Sequence, residues 1–326
     1  MTTLQTPIGS GFGATTTAQE VLEGHDLSNL TAIVTGGHSG LGLETTRALA
    51  SAGAHVIVAA RDQEAARDQE AARAKTRDIA NTEVERLDLS DLASVRDFAR
   101  RFLESGRHID ILIGSAGIMA CAETRVGPGW EAQFATNHLG HYALVNLLWP
   151  ALKGGARVVA VSSAGHHLSG IRWDDVHFER GYDKWLAYGQ SKTANALFAL
   201  HLDRLGRSEG VRAFSLHPGS ILTPLQRHLT QDEMVDAGWI DADGNLADPT
   251  FKTPQQGAAT QVWAATSTRL AGIGGVYCED CEIAAPDQSE APSFVGVKPH
   301  AVDPGQAERL WALSAELTGI DAFAMQ

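Results

Sequence analysis

A cluster of glycines, Thr35-Gly36-Gly37-His38-Ser39-Gly40-Leu41-Gly42, joins the apolar run at 31–35 to a helical pattern over 41–52. No other feature narrows the possible folds as much. A buried strand that breaks into glycine and turns straight into a helix leaves the first helical N–H groups bare. Those groups and the positive end of the helix dipole then face whatever lies above the strand. Glycine allows the tight turn and lets backbone come close to a pyrophosphate, so Gly36, His38, Ser39, Gly40, Leu41 and Gly42 are candidate phosphate-cradling residues. The spacing is Gly-x-x-x-Gly-x-Gly rather than Gly-x-Gly-x-x-Gly, and no Gly-Lys-Ser/Thr follows as a Walker loop requires.

The rest of the chain repeats the same alternation. Short β-branched runs at 55–59, 84–87, 109–113, 157–162, 211–216 and 275–277 are separated by amphipathic stretches at 61–76, 92–104, up to about 148, 184–205 and 254–266. Such alternation predicts an α/β fold, a doubly wound parallel sheet of about seven strands with helices on both faces. Continuous apolar strands agree, because both sheet faces must be buried. No linker divides the series. The expectation is a loosely held arm over 1–24, one domain over 25–326, and a candidate lid over 225–252. The hexapeptide Arg-Asp-Gln-Glu-Ala-Ala occurs at 61–66 and again at 67–72, and reads as a slipped duplication in a surface helix.

Charge and cysteine usage exclude several function classes. A net charge of −13 repels phosphate backbones, so nucleic acid is not an expected partner. Cys121, Cys278 and Cys281 make no disulfide framework, and Cys278-x-x-Cys281 lacks the second pair that a zinc site needs, so no metal is expected. No apolar run reaches the ~18 residues of a membrane span, and the N-terminus lacks a signal-peptide pattern. A cytoplasmic location without membrane association is the expectation.

Candidate chemistry centres on Tyr188-Gly-Gln-Ser-Lys192. On a helix, residues four apart share a face, so phenol and ammonium can act together. A free tyrosine, with a pKa of ~10, is a poor base at neutral pH. A nearby ammonium and a positively charged nicotinamide ring would both stabilise phenolate, making Tyr188 a proton carrier for a carbonyl or alcohol oxygen. At the end of the second strand, Arg61 suits a ribose 2′-phosphate, which points to NADP(H). Asp62 beside it leaves NAD(H) open.

Glycine spacing, Tyr188 and Lys192 together resemble the short-chain dehydrogenase/reductase family. The stretch Ser162-Ser163-Ala164-Gly-His166-His167 resembles its retinol-dehydrogenase-like and WW-domain-oxidoreductase-like branch. The resemblance covers about 31–281. It implies hydride transfer between NADP(H) and a small-molecule alcohol, ketone or aldehyde, fairly apolar and of medium size. It further implies a tetrad of Asn137, Ser163, Tyr188 and Lys192, with Asn137 holding a relay water. By the same likeness, Asp88 and Leu89 meet the adenine, and Pro218, Gly219, Ile221 and Thr223 grip the nicotinamide carboxamide. One departure stands out: the family's Asn-Asn-Ala-Gly is here Gly114-Ser115-Ala116-Gly117, which puts the side-chain tie between neighbouring strands in question while Ser115, Ala116 and Gly117 remain candidate cofactor contacts. His166 and His167 read as solvated loop histidines. Relatives pair through helices flanking the sheet, so a homodimer or homotetramer is expected. Two rival readings are a nucleotide-sensing or interaction protein on the same fold, and a sugar-nucleotide epimerase or dehydratase. The second is disfavoured by the glycine spacing and the absence of a longer C-terminal lobe.

Overall fold

A computed structural model of the chain describes residues 5–61, 67–291 and 293–324. The sheet is built from β1 (Thr31–Thr35), β2 (His55–Ala60), β3 (Thr82–Arg86), β4 (Ile111–Gly114), β5 (Ala156–Val161), β6 (Val211–His217), β7 (Val276–Glu279) and β8 (Glu282–Ile283). Their spatial order is β8-β7-β6-β5-β4-β1-β2-β3. Pairing is parallel from β3 across to β7, with Ala32 of β1 opposite Val56 on one side and Ile111 on the other. The chain moves outward in one direction after β1 and in the other after β4. The gap between those two strands is therefore a switch point, where open α/β sheets take ligands at their carboxyl ends.

Side-chain alternation along the strands separates two cores. Ala32 and Val34 of β1, with Val56 and Val58 of β2, pack on the helix Ala259–Thr266 and its Trp263. Ile33, Ile57 and Leu112 face the opposite way, onto Phe98, Tyr142 and Phe198. All are fully buried, so the strands are apolar on both faces.

The strand count exceeds the expected seven by one. β8 is a two-residue antiparallel return on β7, reached through Asp280 and Cys281, both at positive φ (52° and 58°). That geometry matches a tight hairpin turn, and two residues are too few to register as periodicity. The helix Pro304–Thr318 was also not foreseen. It has Asp303 as its N-cap, accepting from the Gln306 N–H at 2.7 Å, and Gly319 at φ 63° behind it. Its Leu310 and Trp311 pack against the 23-residue helix Lys184–Gly206, with Trp311 stacked on Phe198 at 5.9 Å.

Residues 5–24 are not the loose arm expected. The Gln5 amide donates to the carbonyls of Tyr277 (2.7 Å) and Ala284 (2.8 Å) and accepts from the Tyr277 N–H (2.9 Å). Glu282 accepts from the N–H groups of Ile8 and Ser10 at 2.8 and 2.6 Å. A side chain thus imitates a neighbouring strand and covers the sheet edge. The helix expected to run to about 148 is interrupted: Ala132–Phe134 passes into a π-turn at Ala135–Leu139 before α-geometry resumes at Gly140–Leu147. Local π-geometry of this kind gathers at functional sites. Of the helix expected over 61–76, the described part is Arg67–Thr76. Asp62 and most of the first hexapeptide copy lie outside the described residues.

Candidate active site

A cavity of about 780 Å³ opens above the carboxyl ends of the strands. Its floor is the glycine turn. Gly36 stands at φ 67°, its N–H donating to the Ala59 carbonyl at 2.8 Å, while the Thr46 hydroxyl donates to the Gly37 carbonyl at 2.9 Å. Helix Gly40–Ser51 then starts at Ser39, whose side chain makes no capping bond, so its first N–H groups are left for the cavity. A methyl group on Gly42 would come within 2.4 Å of the Gly36 carbonyl oxygen, so only glycine lets helix and turn approach this closely. Gly36, His38, Ser39, Gly40, Leu41 and Gly42 all line the cavity, as do Arg61, Leu89, Ser115, Ala116 and Gly117. Pro218, Gly219, Ile221 and Thr223 line it from the far side.

Two expected contacts are not on this wall. The Asp88 carboxylate is turned into its own loop, accepting from the N–H and hydroxyl of Ser90 at 2.9 and 2.6 Å. It does not cap the following helix either; Asp91 does, accepting from the Ala93 N–H at 2.9 Å. Asn137 is fully buried in the π-turn beneath the cavity. Its amide bonds Ile118 in both directions, at 2.9 Å each, and donates to the Ser191 hydroxyl at 2.9 Å. That hydroxyl in turn donates to the Tyr188 carbonyl at 2.7 Å, which couples Asn137 to the helix carrying Tyr188 and Lys192.

Tyr188, Ser163 and Lys192 come together as the sequence suggests. The helix bearing two of them is fixed by Asp183, whose carboxylate accepts from the Trp185 and Leu186 N–H groups at 2.8 and 2.9 Å. The Tyr188 ring and the Ser163 Oγ converge beside Gly165, where a Cβ would meet both within 3.4 Å, and the Lys192 Nζ lies 5.5 Å from the centre of that ring. Ser162, by contrast, is turned onto the helix and donates to the Lys192 carbonyl at 2.7 Å. Burial pushes the Tyr188 phenol up to about 12, with Ser163 acting in the opposite direction. The lowering expected from the neighbouring ammonium is absent in the protein alone, where Nζ donates to the Val161 carbonyl at 3.1 Å. Burial also pulls Lys192 down to about 8.

The missing asparagine of the fourth-strand loop has a replacement. Gly114 leaves room for His141, whose Cδ2 would lie 3.0 Å from any Cβ at that position. His141 Nδ1–H donates to the Asn137 carbonyl at 2.9 Å, the Thr35 hydroxyl donates to Nε2 at 2.9 Å, and Thr35 accepts from the Ala116 N–H at 3.0 Å. One tautomer satisfies the whole chain, and burial holds the imidazole neutral, at about 4. β1, the loop after β4 and the π-turn are thus tied together through Thr35 and His141. The spacing of His141, one turn after Asn137, was the signal available in the sequence.

His166 and His167 are buried, contrary to expectation. His166 Nδ1–H donates to the Ser163 carbonyl at 2.7 Å and Nε2 accepts from the Lys298 N–H at 3.1 Å. The Tyr277 hydroxyl adds a bond to the same Ser163 carbonyl at 3.1 Å. The turn carrying Ser163 is therefore braced from β7 and from the C-terminal segment, which sequence reasoning missed because those partners lie more than 110 residues away. Toward solvent the cavity becomes aromatic, lined by Trp185, Trp239, Phe251 and Phe294 with Met119 and Leu225. Trp239 meets Trp185 edge-on at 6.2 Å.

The charged side chains on the cavity wall are Arg61, Lys192 and Arg227, with no carboxylate among the described lining residues. In a chain of net charge −13, that wall suits a polyanion. Together with the glycine turn that a Cβ would fill, it fits a dinucleotide. No helix among the described residues is long and apolar enough to cross a membrane.

Comparisons with known proteins agree with this geometry. The sequence profile described as short chain dehydrogenase matches residues 30–234. A protein of Streptomyces antibioticus named "Probable oxidoreductase" is 46% identical over 291 residues, covering 88% of this chain and 96% of its own length. Retinol dehydrogenase 11 of Homo sapiens is 36% identical over 290 residues, covering 88% of this chain and 85% of its own. Among solved structures, an uncharacterized protein from Mycobacterium paratuberculosis matches with a TM-score of 0.70 and 34% identity, over 94% of this chain and 98% of that one.

Proposed function

The chain belongs to the short-chain dehydrogenase/reductase family, in its retinol-dehydrogenase-like branch, and from that premise we propose that it is an NADP(H)-dependent oxidoreductase interconverting a medium-sized apolar alcohol with its ketone or aldehyde. The observation that carries this reading is the Tyr188 hydroxyl. It stands beside Ser163, one helical turn from Lys192, on the wall of the same cavity that the glycine turn floors.

A nicotinamide held by the glycine turn and by Pro218, Gly219, Ile221 and Thr223 would supply hydride to carbon in reduction and accept it in oxidation. The chain's own residues manage the oxygen. Tyr188, neutral in the protein alone, donates its proton to the carbonyl oxygen, and the Ser163 hydroxyl donates a hydrogen bond to the same atom as charge develops there. Lys192 provides positive charge along one edge of the phenol, stabilising the phenolate that remains. Asn137 holds Ile118 and Ser191 and so sets the floor on which Tyr188 and Lys192 stand. Arg61, directly beyond β2, favours the 2′-phosphorylated cofactor. Trp185, Trp239, Phe251 and Phe294 favour an apolar, uncharged substrate body, with the segment 225–252 acting as its lid.

Two measurements test the reading. NADPH added to the protein should show enhanced nicotinamide fluorescence at micromolar cofactor. Tyr188→Phe should retain that binding yet lose roughly 10²–10⁴-fold in turnover of ketones and alcohols followed at the NADPH absorbance. Full activity in Tyr188→Phe would overturn the proton-transfer assignment.

A further inference from the structure

Beyond β6 the chain runs from Pro218 to Leu222 without regular secondary structure, and this loop lines the far wall of the cavity. Both of its ends are fixed to the site. At one end Thr223 packs beside Gly40 at the start of the cradle helix, where a Cβ on Gly40 would lie 3.4 Å from that of Thr223. At the other, the His217 Nδ1 accepts from the Ala164 N–H at 3.0 Å, in the turn that carries Ser163. A ligand reaching from the glycine turn to Tyr188 and Ser163 therefore passes along this loop. Irregular backbone keeps such a shape only if something behind it holds it.

Lys252 lies there. Its N–H donates to the Ser220 carbonyl at 2.8 Å. Its stem crosses Gly219: a Cβ on that residue would come within 2.7 Å of both Cδ and Cε, and 3.1 Å of Nζ. Gly219 also stands at φ 100°, so backbone and lysine stem both require glycine. The ammonium pairs with the Asp280 carboxylate in the turn between β7 and β8. The Lys252 side chain is only 9% exposed, and a charge so far from water needs a partner of this kind. Lys252 is not among the described residues lining the cavity, whereas its neighbour Phe251 is. Burial first, and the Lys252 charge next, hold the His217 imidazole neutral at about 3, the form able to accept from Ala164. Lid end, cavity loop and hairpin turn thus meet behind one glycine.

We propose that Lys252 is a positioning residue for the nicotinamide end of the cofactor: anchored on Asp280, it backs Gly219 and Ser220 in the wall against which that ring lies. This rests on the cofactor reading above. With the anchor cut, the stem is free to leave Gly219 and the wall gives way at the ring, while the glycine turn still cradles the diphosphate. Because Phe251 adjoins Lys252, the same anchor also fixes one aromatic side chain of the substrate mouth.

The test titrates the full chain with two pairs of ligands, NADPH with 2′-phospho-ADP-ribose and NADH with ADP-ribose; the second member of each pair lacks the nicotinamide. Asp280→Asn removes the carboxylate charge and suits the turn, since asparagine tolerates the φ of 52° found there. Lys252→Met keeps an apolar stem over Gly219 without the charge, and Lys252→Arg keeps the charge. In Asp280→Asn and Lys252→Met, affinity for NADPH should fall roughly tenfold, the lower end of what a hydrogen bond to a charged group contributes, while 2′-phospho-ADP-ribose binds as it does to the parent. NADH and ADP-ribose should diverge in the same way, and Lys252→Arg should recover part of the loss. A smaller folded fraction would weaken every ligand alike, so an equal loss for NADPH and 2′-phospho-ADP-ribose overturns the inference. Unchanged NADPH affinity in both variants overturns it too, and leaves the cofactor reading standing. A parent that binds neither NADPH nor NADH refutes the cofactor reading itself, and the inference with it.

Discussion

Gly165→Ala should disable the enzyme by moving one ring. Gly165 lies in the turn after Ser163, and its φ is outside the left-handed region, so alanine carries no backbone penalty there. The added methyl would, however, stand 2.8 Å from Cε1 and 3.0 Å from Cδ1 of Tyr188. Carbon atoms pack at about 3.5–4.0 Å, so the ring must retreat by roughly 0.7 Å. It cannot slide freely, because Tyr188 is 4% exposed and packed against Met119 and Ala120, with Trp185 and Leu225 behind. The ring pivots at Cβ, so the hydroxyl swings at least as far as the carbons that are pushed. A displacement of ~1 Å at a reacting group costs on the order of 10²-fold in rate. Overpacking adds a loss of about 1–3 kcal/mol in stability. The assay is steady-state reduction of a reactive ketone at saturating NADPH, with cofactor affinity and the unfolding midpoint measured alongside. Turnover should fall while NADPH affinity holds, since the glycine turn lies elsewhere. In a Tyr188→Phe background the same substitution should cost nothing further, because there is no hydroxyl left to misplace. Undiminished turnover, or an equal loss in both backgrounds, would refute the reasoning.

Three other predictions concern charge and the cradle. With its ammonium value near 8, Lys192 is charged below that pH and neutral above it. Carbonyl reduction, measured as kcat/KM against pH, should therefore decline above about 8, not near the 10.5 of an ordinary lysine. Stability should move oppositely. The unfolded chain binds the extra proton between about 8 and 10.5, so Lys192 costs most stability below 8 and nothing above 10.5. Denaturant titrations of Lys192→Met should lack that rise; an identical pH slope would remove Lys192 as its source. Gly42→Ala places a methyl 2.4 Å from the Gly36 oxygen and 2.8 Å from its carbon, both backbone atoms that cannot yield. NADPH binding should weaken more than tenfold, with about 1–3 kcal/mol of stability lost; unchanged affinity would mean that the turn does not meet the cofactor.

Local features were legible in the sequence and long-range ones were not. The alternation of β-branched runs with amphipathic stretches located seven strands because burying both faces of a sheet enforces continuous apolar runs. Tyr188 and Lys192 could be paired from spacing alone, since a helix fixes which residues share a face. The helix Pro304–Thr318 also carries its signals, Asp303-Pro304 at one end and Gly319 at the other, but lies beyond the strand–helix alternation. The burial of His166 was beyond such reasoning. One partner, Ser163, is local, but the other, Lys298, lies 132 residues on and is brought to it only by the fold. Asp88 shows what likeness leaves out: the position also makes a local bond to Ser90 through one carboxylate oxygen. The tie through Thr35 and His141 was legible only in part: His141 stands one turn after Asn137, but the tie substitutes an imidazole from a helix for an amide expected in a loop.

The strap formed by Gln5 and its neighbours has a consequence for biosynthesis. Its bonds to Tyr277 and Ala284 span 272 and 279 residues. While a ribosome is still making the intervening chain, nothing can occupy that flank of the sheet. A nascent or truncated molecule therefore carries a free β-edge able to recruit another copy, and material stopped before Tyr277, or lacking Gln5 through Ser10, should precipitate more readily than the full chain. Affinity tags fused close to Gln5 would threaten the same seal.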